Sequence, residues 1–382
     1  MSIRQLLTGA RLLTDEGLEH GFGLLLENGV ILDILPETLE ASGRVRRLPE
    51  GSILAPGFVD VQVNGGGGVL FNERPTLEAA LAMAAAHRRY GTTSIFPTVI
   101  TDLPEVMKRG ADAVRGAIAR PDGGIAGLHI EGPFISPQRP GVHDPRFIRR
   151  MEAADADWLA SLAASLPILL TVAPEEVADS HLRQLADAGV VLSAGHTAAS
   201  AERIAEALAL GLRSFTHLYN AMPPLAGREP GPVGAALSES SAWCGLIVDG
   251  VHVHPASLRV ALAARPADRM LLVTDAMAVL GTDADGFALY GQRILRRNGR
   301  LEREDGQLAG ADLDMATAVR NSVAMLGCSV EVALRMASTY PADLMRLRYR
   351  GRVARGLRAD LVLLTQDLRP LGTWLNGFWA EA

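Results

Sequence analysis

The sequence predicts an α/β fold, a (β/α)8 barrel of the TIM type with a small β-sandwich domain formed by both chain termini. From about Pro56 onwards, short apolar runs alternate with Ala-rich amphipathic stretches, as in parallel α/β folds. Both ends of the chain instead carry short alternating segments. A chain of 382 residues is long enough for one large barrel with an appendage.

The two termini are predicted to form one β domain, residues 1–55 together with 352–382. Near the start, the alternating runs are broken by Gly, Asn-Gly and Pro, which is typical of hairpins. The last thirty or so residues have the same pattern. We therefore expect the barrel to occupy residues 56–351, with the two ends of the chain meeting beside it.

Eight apolar runs are candidate barrel strands, and eight such units favour a TIM barrel. Thr76 is expected to cap a helix that continues to Tyr90 and ends at Gly91. A second helix is expected directly after Thr197, again ended by a glycine. The candidate strands are 57–63, 93–100, 125–131, 168–174, 190–196, 214–219, 244–250 and 270–276.

Composition and charge exclude several classes of protein. The formal net charge is −6, with 37 Lys and Arg against 43 Asp and Glu, so the chain has no general attraction for nucleic acid or an anionic membrane. Cys244 and Cys328 lie far apart in the sequence and form neither a disulfide framework nor a metal knuckle. The sequence shows no signal-peptide pattern and no apolar run of membrane length. We expect a cytoplasmic protein without nucleic-acid or membrane partners.

Four ionisable residues follow apolar runs at the expected carboxyl ends of barrel strands. Glu131 ends the third run, His196 the fifth, His217 the sixth and Asp275 the eighth. All strands of such a barrel direct these ends to one rim, so the four side chains are expected to meet there. Taken alone, either histidine could equally serve to hydrogen-bond a loop. His129 should lie one layer deeper than Glu131, where we favour a role in supporting the site over that of a ligand.

This set of residues predicts a metal-dependent hydrolase. Two imidazoles and one carboxylate bind a divalent metal while leaving a position free for a water molecule. An aspartate beside them can take the proton of that water and deliver it to a leaving group. We therefore predict that Glu131, His196 and His217 hold the metal and that Asp275 transfers the protons.

Six short motifs follow one another along the chain: LHIEGPF at 128–134, LSAGHT at 192–197, THLYNAM at 216–222, DGVHVHP at 249–255, LVTDAM at 272–277 and LAG at 308–310. In this order they closely resemble the N-acetylglucosamine-6-phosphate deacetylase family of the amidohydrolase superfamily. The resemblance extends from the PGFVDVQVNG segment to the GLRADLVLL segment, which is nearly the whole chain.

The resemblance implies a homodimer that hydrolyses the acetamide of N-acetyl-D-glucosamine 6-phosphate to D-glucosamine 6-phosphate and acetate. It implies one divalent metal per subunit on Glu131, His196 and His217, Zn²⁺ in the first place and Fe²⁺ or another divalent ion otherwise. It also implies that Asp275 is the acid/base. The implied substrate contacts are Val142, His143, Asn220, Ala221, Arg228, Asp249, His252, Leu308, Ala309 and Gly310.

The chemistry of these residues agrees with a sugar phosphate. Arg228 and His252 are donors that a phosphomonoester needs on an acidic protein, although without the motif Arg228 would be a solvated loop arginine. His143 can hydrogen-bond the sugar or the polarised carbonyl oxygen, or else is a turn residue. Many amidohydrolases hold a second metal with a His-x-His pair, where this chain has Gln62 and Asn64. Amides are poor ligands, so we expect one metal.

Three alternatives stay open at this point. The substrate could be N-acetylgalactosamine 6-phosphate, which differs at one hydroxyl group that the motifs scarcely distinguish. A cyclic-amide hydrolase or deaminase is a second alternative, which Gln62 and Asn64 disfavour because most of those enzymes use two metals. The third is a non-catalytic relative that kept the barrel as a scaffold. Such a protein should have lost ligands, whereas this chain retains all four residues.

Overall fold

The structure, a computed structural model, describes residues 4–38 and 43–382. Eight parallel strands form one sheet in which each strand pairs with the next along the chain. The last strand returns to the first through a bridge between Val63 and Ala276 and a 3.0 Å hydrogen bond from the Asp275 N–H to the Gln62 carbonyl. This closes the barrel and confirms the predicted fold. The barrel strands are Phe58–Val63, Thr92–Ile100, Leu128–Glu131, Ile168–Val172, Val191–Ala194, Leu212–Phe215, Trp243–Leu246 and Met270–Leu272.

Helices connect the strands on the outside of the barrel. As predicted, the Thr76 side chain caps the first helix, accepting a 3.2 Å hydrogen bond from the Ala79 N–H. Among the described residues, no helix is long and apolar enough to cross a membrane. The helices are Leu77–Arg88 (α1), Pro104–Ile118 (α2), Ala153–Ala163 (α3), Asp179–Asp187 (α4), Ala201–Ala209 (α5), Gly231–Ser238 (α6), Pro255–Ala264 (α7), Met315–Leu326 (α8), Val330–Ala337 (α9) and Thr339–Leu344 (α10), with short 3₁₀ turns at Pro174–Glu176 and Ala267–Arg269.

The helix expected directly after Thr197 begins later than predicted. The Thr197 hydroxyl donates a 2.6 Å hydrogen bond to the carboxylate of Glu175, and the Ala198 N–H donates to the same carboxylate. These bonds hold the start of the segment against the neighbouring loop, so helix α5 begins at Ala201 with Ser200 as its cap.

The two termini meet in one β domain, as the sequence predicts. The strand Leu361–Leu364 pairs antiparallel with Ile53–Pro56 and so joins the ends of the chain. The two sheets share one apolar core. The boundaries at 55/56 and 351/352 stay a prediction, and residues 1–3 and 39–42 lie outside the described residues. In order across each sheet, the strands are Val30–Pro36, Phe22–Glu27, Arg4–Thr8 and Arg44–Arg47 in one, and Phe378–Glu381, Pro370–Leu375, Leu361–Leu364, Ile53–Pro56, Arg11–Leu13 and Leu18–Glu19 in the other.

A further antiparallel sheet, which the sequence did not predict, lies between the eighth barrel strand and α8. Its inner face packs on Ile100 and Met277, and its last strand bridges to the barrel between Ala276 and Ala311. We call it the mouth sheet, because it brings the segment Leu308–Gly310 to the mouth of the barrel. Its strands are Gly286–Leu289, Gln292–Arg297, Arg300–Glu302 and Leu308–Ala311, and a separate hairpin of Gly65–Gly66 and Val69–Leu70 follows the first barrel strand.

Candidate active site

The four residues predicted from strand ends line one cavity of about 450 Å³. Glu131 is the last residue of the third barrel strand. His196 and His217 each come two residues after the end of a strand, and Asp275 comes three residues after. The barrel therefore brings together side chains that are up to 144 positions apart in the sequence, from 131 to 275.

Three of these four residues have a backbone conformation that is unusual outside glycine. The φ angle is 49° at His196, 31° at His217 and 52° at Asp275. Such conformations cost about 1–3 kcal/mol each and persist where the surroundings impose them. Neighbouring side chains pack closely against this backbone. At Gly195, directly before His196, a Cβ atom would lie 2.7 Å from the side chain of Thr171. Strain concentrated at three strand ends supports a functional role for this rim.

Glu131, His196 and His217 place three ligand atoms within reach of one another. The Oε1 atom of Glu131 lies 3.0 Å from Nε2 of His217 and 3.3 Å from Nε2 of His196. The two Nε2 atoms are 3.1 Å apart. Ligand atoms about 2.0–2.1 Å from a tetrahedral metal ion are separated by about 3.3 Å. The three buried side chains therefore fit a divalent cation that keeps one position free.

Hydrogen bonding fixes the tautomer of His196 in a form suited to metal binding. Its Nδ1 atom lies 2.9 Å from the carbonyl oxygen of Arg139. A carbonyl oxygen only accepts, so Nδ1 carries the proton and the lone pair of Nε2 faces Glu131 and His217.

His143 also lies close to this cluster, and the geometry alone admits it as a ligand. Ligand atoms of Glu131, His143 and His196 lie within 4.8 Å of one another. However, the backbone N–H of Thr101 donates to Nδ1 of His143 at 3.3 Å, and the Thr101 hydroxyl lies 2.7 Å from the same atom. A backbone N–H can only donate, so Nδ1 accepts and the proton of a neutral ring is on Nε2. That tautomer donates a hydrogen bond and offers no free lone pair on Nε2. We therefore favour His217 as the third ligand and His143 as a donor to substrate.

Burial and neighbouring charges set the protonation of the site. Burial, together with nearby His196, lowers the pKa of His143 well below its ordinary value, so its ring is neutral at neutral pH. Burial alone would raise the pKa of Glu131, but hydrogen bonds with His196 and His217 hold it well below its ordinary value. Burial and the charge of Glu131 raise the pKa of Asp275 to about 6. Glu131 is thus an anionic ligand and Asp275 a base that readily takes a proton.

Two amides of the first strand hold the carboxylates in place. Gln62 Nε2 donates to both oxygens of Glu131 at 3.3 Å and to Oδ1 of Asp275 at 3.2 Å. Asn64 Nδ2 donates to the same Oδ1 at 2.6 Å. The Oδ2 atom of Asp275 is therefore the oxygen available for proton transfer. The sequence alone indicates only that Gln62 and Asn64 are poor metal ligands.

A hydrogen-bonded layer lies beneath the site. His129 contacts the hydroxyl groups of Thr98 at 3.2 Å and Thr171 at 2.8 Å, and Thr216 links Thr171 to Ser193 through bonds of 2.7 Å. Burial lowers the pKa of His129 to about 4, so it is neutral. The sequence predicts that His129 lies one layer below Glu131, but it does not predict its hydrogen-bond partners. In the sequence, Thr98 and Thr171 are only hydroxyl residues within apolar runs.

The structure brings most of the implied substrate contacts to the cavity, but not all of them. Arg228 lies in an exposed loop outside the cavity lining. Asp249 lies behind His252, with 2.6 Å between its Oδ2 and the Nδ1 of that ring, and Ala309 is buried in the apolar core of the mouth sheet. Direct substrate contact by these three stays a prediction. The implied contacts that do line the cavity are Val142, His143, Asn220, Ala221, His252, Leu308 and Gly310.

Several lining residues were not found from the sequence. They include Gln138 and Arg139 on the loop before His143, and Gln307, which directly precedes the last strand of the mouth sheet. Met277, just beyond Asp275, lines the same cavity. Gln138 and Arg139 could have been predicted from their position in the loop that leads to His143, because the resemblance implies that His143 contacts the substrate.

Fold and site together define a metal-dependent hydrolase of the TIM-barrel class. Residues 53–379 match the amidohydrolase family, and the chain belongs to that family. It is 41% identical over 374 residues to N-acetylgalactosamine-6-phosphate deacetylase of Shewanella sp. (strain ANA-3), covering 97% of this chain and 94% of that protein.

Two solved structures are similar over the whole chain. N-acetylglucosamine-6-phosphate deacetylase from Pasteurella multocida is 32% identical, with a TM-score of 0.95 and 100% of both chains covered. An aspartate-to-alanine mutant of N-acetyl-D-glucosamine-6-phosphate deacetylase from Mycobacterium smegmatis, in complex with N-acetyl-D-glucosamine-6-phosphate, is 32% identical, with a TM-score of 0.92 and the same coverage. The similarity thus includes the terminal β domain as well as the barrel.

Proposed function

We propose that this chain removes the acetyl group from an N-acetylhexosamine 6-phosphate, with N-acetyl-D-glucosamine 6-phosphate as the first candidate. The products would be D-glucosamine 6-phosphate and acetate. The observation that carries the proposal is the buried set of Glu131, His196 and His217 beside an aspartate with one free oxygen. The deacetylases to which the chain is similar over its full length support this choice.

We propose Zn²⁺ as the metal held by Glu131, His196 and His217, with Fe²⁺ or another divalent ion as the alternative. Two imidazole nitrogens and one carboxylate oxygen are ligands that suit zinc. When bound, the cation supplies Lewis acidity, which acidifies a water molecule and polarises the acetamide carbonyl.

The chain itself supplies the proton transfers. Oδ2 of Asp275 takes a proton from the attacking water, while Gln62 and Asn64 hold Oδ1. The water oxygen bonds to the acetamide carbon, and the Nε2–H of His143 donates to the carbonyl oxygen as negative charge develops there. Asp275 then returns the proton to the amide nitrogen as the C–N bond breaks, because an amide nitrogen leaves poorly unless it is protonated.

The second candidate substrate is N-acetyl-D-galactosamine 6-phosphate. The relative that is 41% identical over 97% of this chain carries that activity in its name. The two sugars differ at one hydroxyl group, so the metal, Asp275 and His143 would act in the same way on both.

The test is acetate release from both epimers, with metal content measured by emission spectroscopy on the same preparation. We expect one metal per chain and a higher kcat/KM on one of the two sugar phosphates. If neither is hydrolysed after metal is restored, the proposed function is wrong. A chain that binds no metal even on reconstitution would instead support the scaffold alternative.

The homodimer and the cytoplasmic location stay predictions. Light scattering of the purified protein tests the homodimer.

A further inference from the structure

The mouth sheet contains a hairpin turn with an unusual residue. Its first two strands are joined by Tyr290 and Gly291, whose φ angles are 51° and 76°. Positive φ at both positions of a two-residue turn favours asparagine or glycine at the first position, because a bulky side chain is strained there. Among the described residues, the other hairpins that turn through two residues of positive φ have Asn-Gly or Gly-Gly, at 28–29, 67–68, 298–299 and 376–377. Strain accepted only at position 290 points to a role for the tyrosine side chain.

The phenol of Tyr290 reaches the end of the second barrel strand. Its hydroxyl donates a hydrogen bond to the backbone carbonyl of Thr101, a fully buried residue that directly follows the strand Thr92–Ile100. The centroid of the Tyr290 ring lies 6.5 Å from that of the Phe147 ring. The ring also packs against the apolar core of the mouth sheet. Tyr290 therefore ties the hairpin turn to a strand end at the rim of the active site.

Thr101 in turn contacts His143, the proposed donor to the carbonyl oxygen. Its N–H donates to Nδ1 of the ring at 3.3 Å, and its hydroxyl lies 2.7 Å from the same atom. Ile100 directly precedes Thr101 and lies in the apolar core against which Tyr290 packs. Val142 directly precedes His143 and packs against the same core. One core thus holds together the three segments that carry the tyrosine, the threonine and the histidine.

We propose that Tyr290 is a positioning residue for the deacetylation, an inference that rests on the proposed function. Through Thr101, its phenol holds His143 in the tautomer and orientation in which Nε2–H donates to the acetamide oxygen. A donor that is fixed before the substrate arrives stabilises the developing negative charge without reorganisation. The strain at position 290 is then explained, because neither asparagine nor glycine carries a phenol. The mouth sheet thereby contributes to catalysis without touching the reacting atoms.

The first test removes only the phenol hydroxyl. Tyr290→Phe should lower kcat by about 3- to 10-fold on whichever sugar phosphate the wild type hydrolyses, the effect of one net hydrogen bond. The fall should be smaller than that in His143→Ala, because Asn72 continues to hold the backbone of Ile100 through two bonds of 2.9 Å. KM should change by less than about twofold, because His143 donates most strongly in the transition state.

Tyr349 provides the matched control. It is an exposed tyrosine in the segment that follows α10, so Tyr349→Phe should leave kcat and KM unchanged. Metal content, measured by emission spectroscopy, should be equal in the wild type and both variants, because neither tyrosine contacts a proposed metal ligand.

A double-mutant cycle shows whether Tyr290 acts through His143. In the His143→Ala background, Tyr290→Phe should cause no further fall in kcat, because the donor that it positions is gone. A variant that only loosened the mouth sheet would instead lower kcat by the same factor in both backgrounds. Thr101→Val should behave as Tyr290→Phe does, with a fall of about 3- to 10-fold, because it keeps the shape of the side chain and loses the hydroxyl. Thr101→Ser, which restores the hydroxyl, should restore kcat.

Nitrogen-15 NMR of histidine-labelled protein measures the tautomer of His143 without any turnover. In the wild type and in Tyr349→Phe, the ring should be protonated on Nε2 alone. In Tyr290→Phe, a population protonated on Nδ1 should appear, because the Thr101 hydroxyl can accept from Nδ1–H once the Thr101 N–H is no longer held in place.

Three kinetic results would overturn the proposal: an unchanged kcat in Tyr290→Phe, an equal loss with and without His143, or a loss confined to KM. Failure of the proposed function is distinct from all three, because then the metal-loaded wild type hydrolyses neither epimer. In that case the NMR spectrum decides whether Tyr290 positions His143. A new Nδ1–H population in Tyr290→Phe would support the positioning role, and an unchanged spectrum would refute it.

Discussion

The cavity has two walls that differ in how their residues are held. One consists of Glu131, His196, His217 and Asp275 at or just beyond strand ends, where the parallel ladder of the barrel fixes the backbone. The other consists of the loop 136–143 and the mouth sheet, where single contacts such as Gln307 to Gly141 hold the position. In the mechanism that we propose, the first wall holds the metal and transfers the protons, whereas the second supplies the donor His143 and faces the rest of the substrate. Substrate preference can therefore change in the second wall without disturbing the metal site.

The largest effect should come from the acid/base of the strand-end wall. Asp275→Asn should lower kcat by about 10³-fold or more, because the same carboxylate serves in both proton transfers. Metal content should be unchanged, since Asp275 lies outside the set of three ligands. Acetate release and emission spectroscopy measure the two. Asp112→Asn, on an exposed carboxylate of α2, is the control, and wild-type turnover in Asp275→Asn would refute the role.

The next comparison sets a histidine of one wall against a histidine of the other. His217→Ala should lose metal, because it removes one of three ligands. His143→Ala should retain metal and lose about 10²- to 10³-fold in kcat, the usual effect of removing one donor to a developing oxyanion. Metal content decides between them. If His143→Ala lost the metal and His217→Ala kept it, the ligand set would be Glu131, His143 and His196.

A third prediction concerns the support beneath the strand-end wall. Asp60 accepts hydrogen bonds from the N–H groups of Gln62 and Thr274 and from the Thr274 hydroxyl. Burial raises its pKa from 3.8 to about 7. The stabilisation from its protonated form is therefore fully present below about pH 4 and is lost as the pH rises through about 7.

Asp60→Asn should remove this pH dependence, because the amide keeps an oxygen for both N–H groups but does not ionise. Between pH 5 and pH 8 the wild type should lose about 2 to 3 kcal/mol of stability that the variant does not lose. Urea unfolding at the two pH values measures the difference, with Asp112→Asn as the exposed control. Equal pH dependence in Asp60→Asn and wild type would exclude Asp60 as the cause.

The smallest effect should come from loosening the second wall. Gln307→Ala removes one exposed hydrogen bond between the mouth sheet and the loop 136–143, so kcat/KM should fall by only about 2- to 5-fold. The fall should appear mainly in KM, with metal content unchanged. Gln184→Ala is a matched control, because Gln184 donates a comparable exposed bond to Asp157 on the outside of the barrel. A large fall in kcat would show that the two walls are not independent.

The barrel and its strand ends could be predicted because their signals are local. Strands buried on both faces give unbroken apolar runs, and a charged residue at the end of such a run is conspicuous. The mouth sheet escaped prediction because its strands are short and largely charged, as in QRILRR and RLE, and packing against Ile100 and Met277 decides them. The late start of α5 depends likewise on Glu175, a residue of another loop.

The sequence by itself determined the eight-unit barrel, the meeting of the termini and the four residues of the strand-end wall, because each follows from patterns within short segments. Only the tertiary structure decided that the Thr101 N–H donates to Nδ1 of His143, that Asn64 donates to Oδ1 of Asp275, and that Arg139 lines the cavity whereas Arg228 does not. Those outcomes depend on contacts between distant segments, such as the bond between Gln307 and Gly141 across 166 positions. Such contacts exist only once the barrel has closed and its loops have packed against one another.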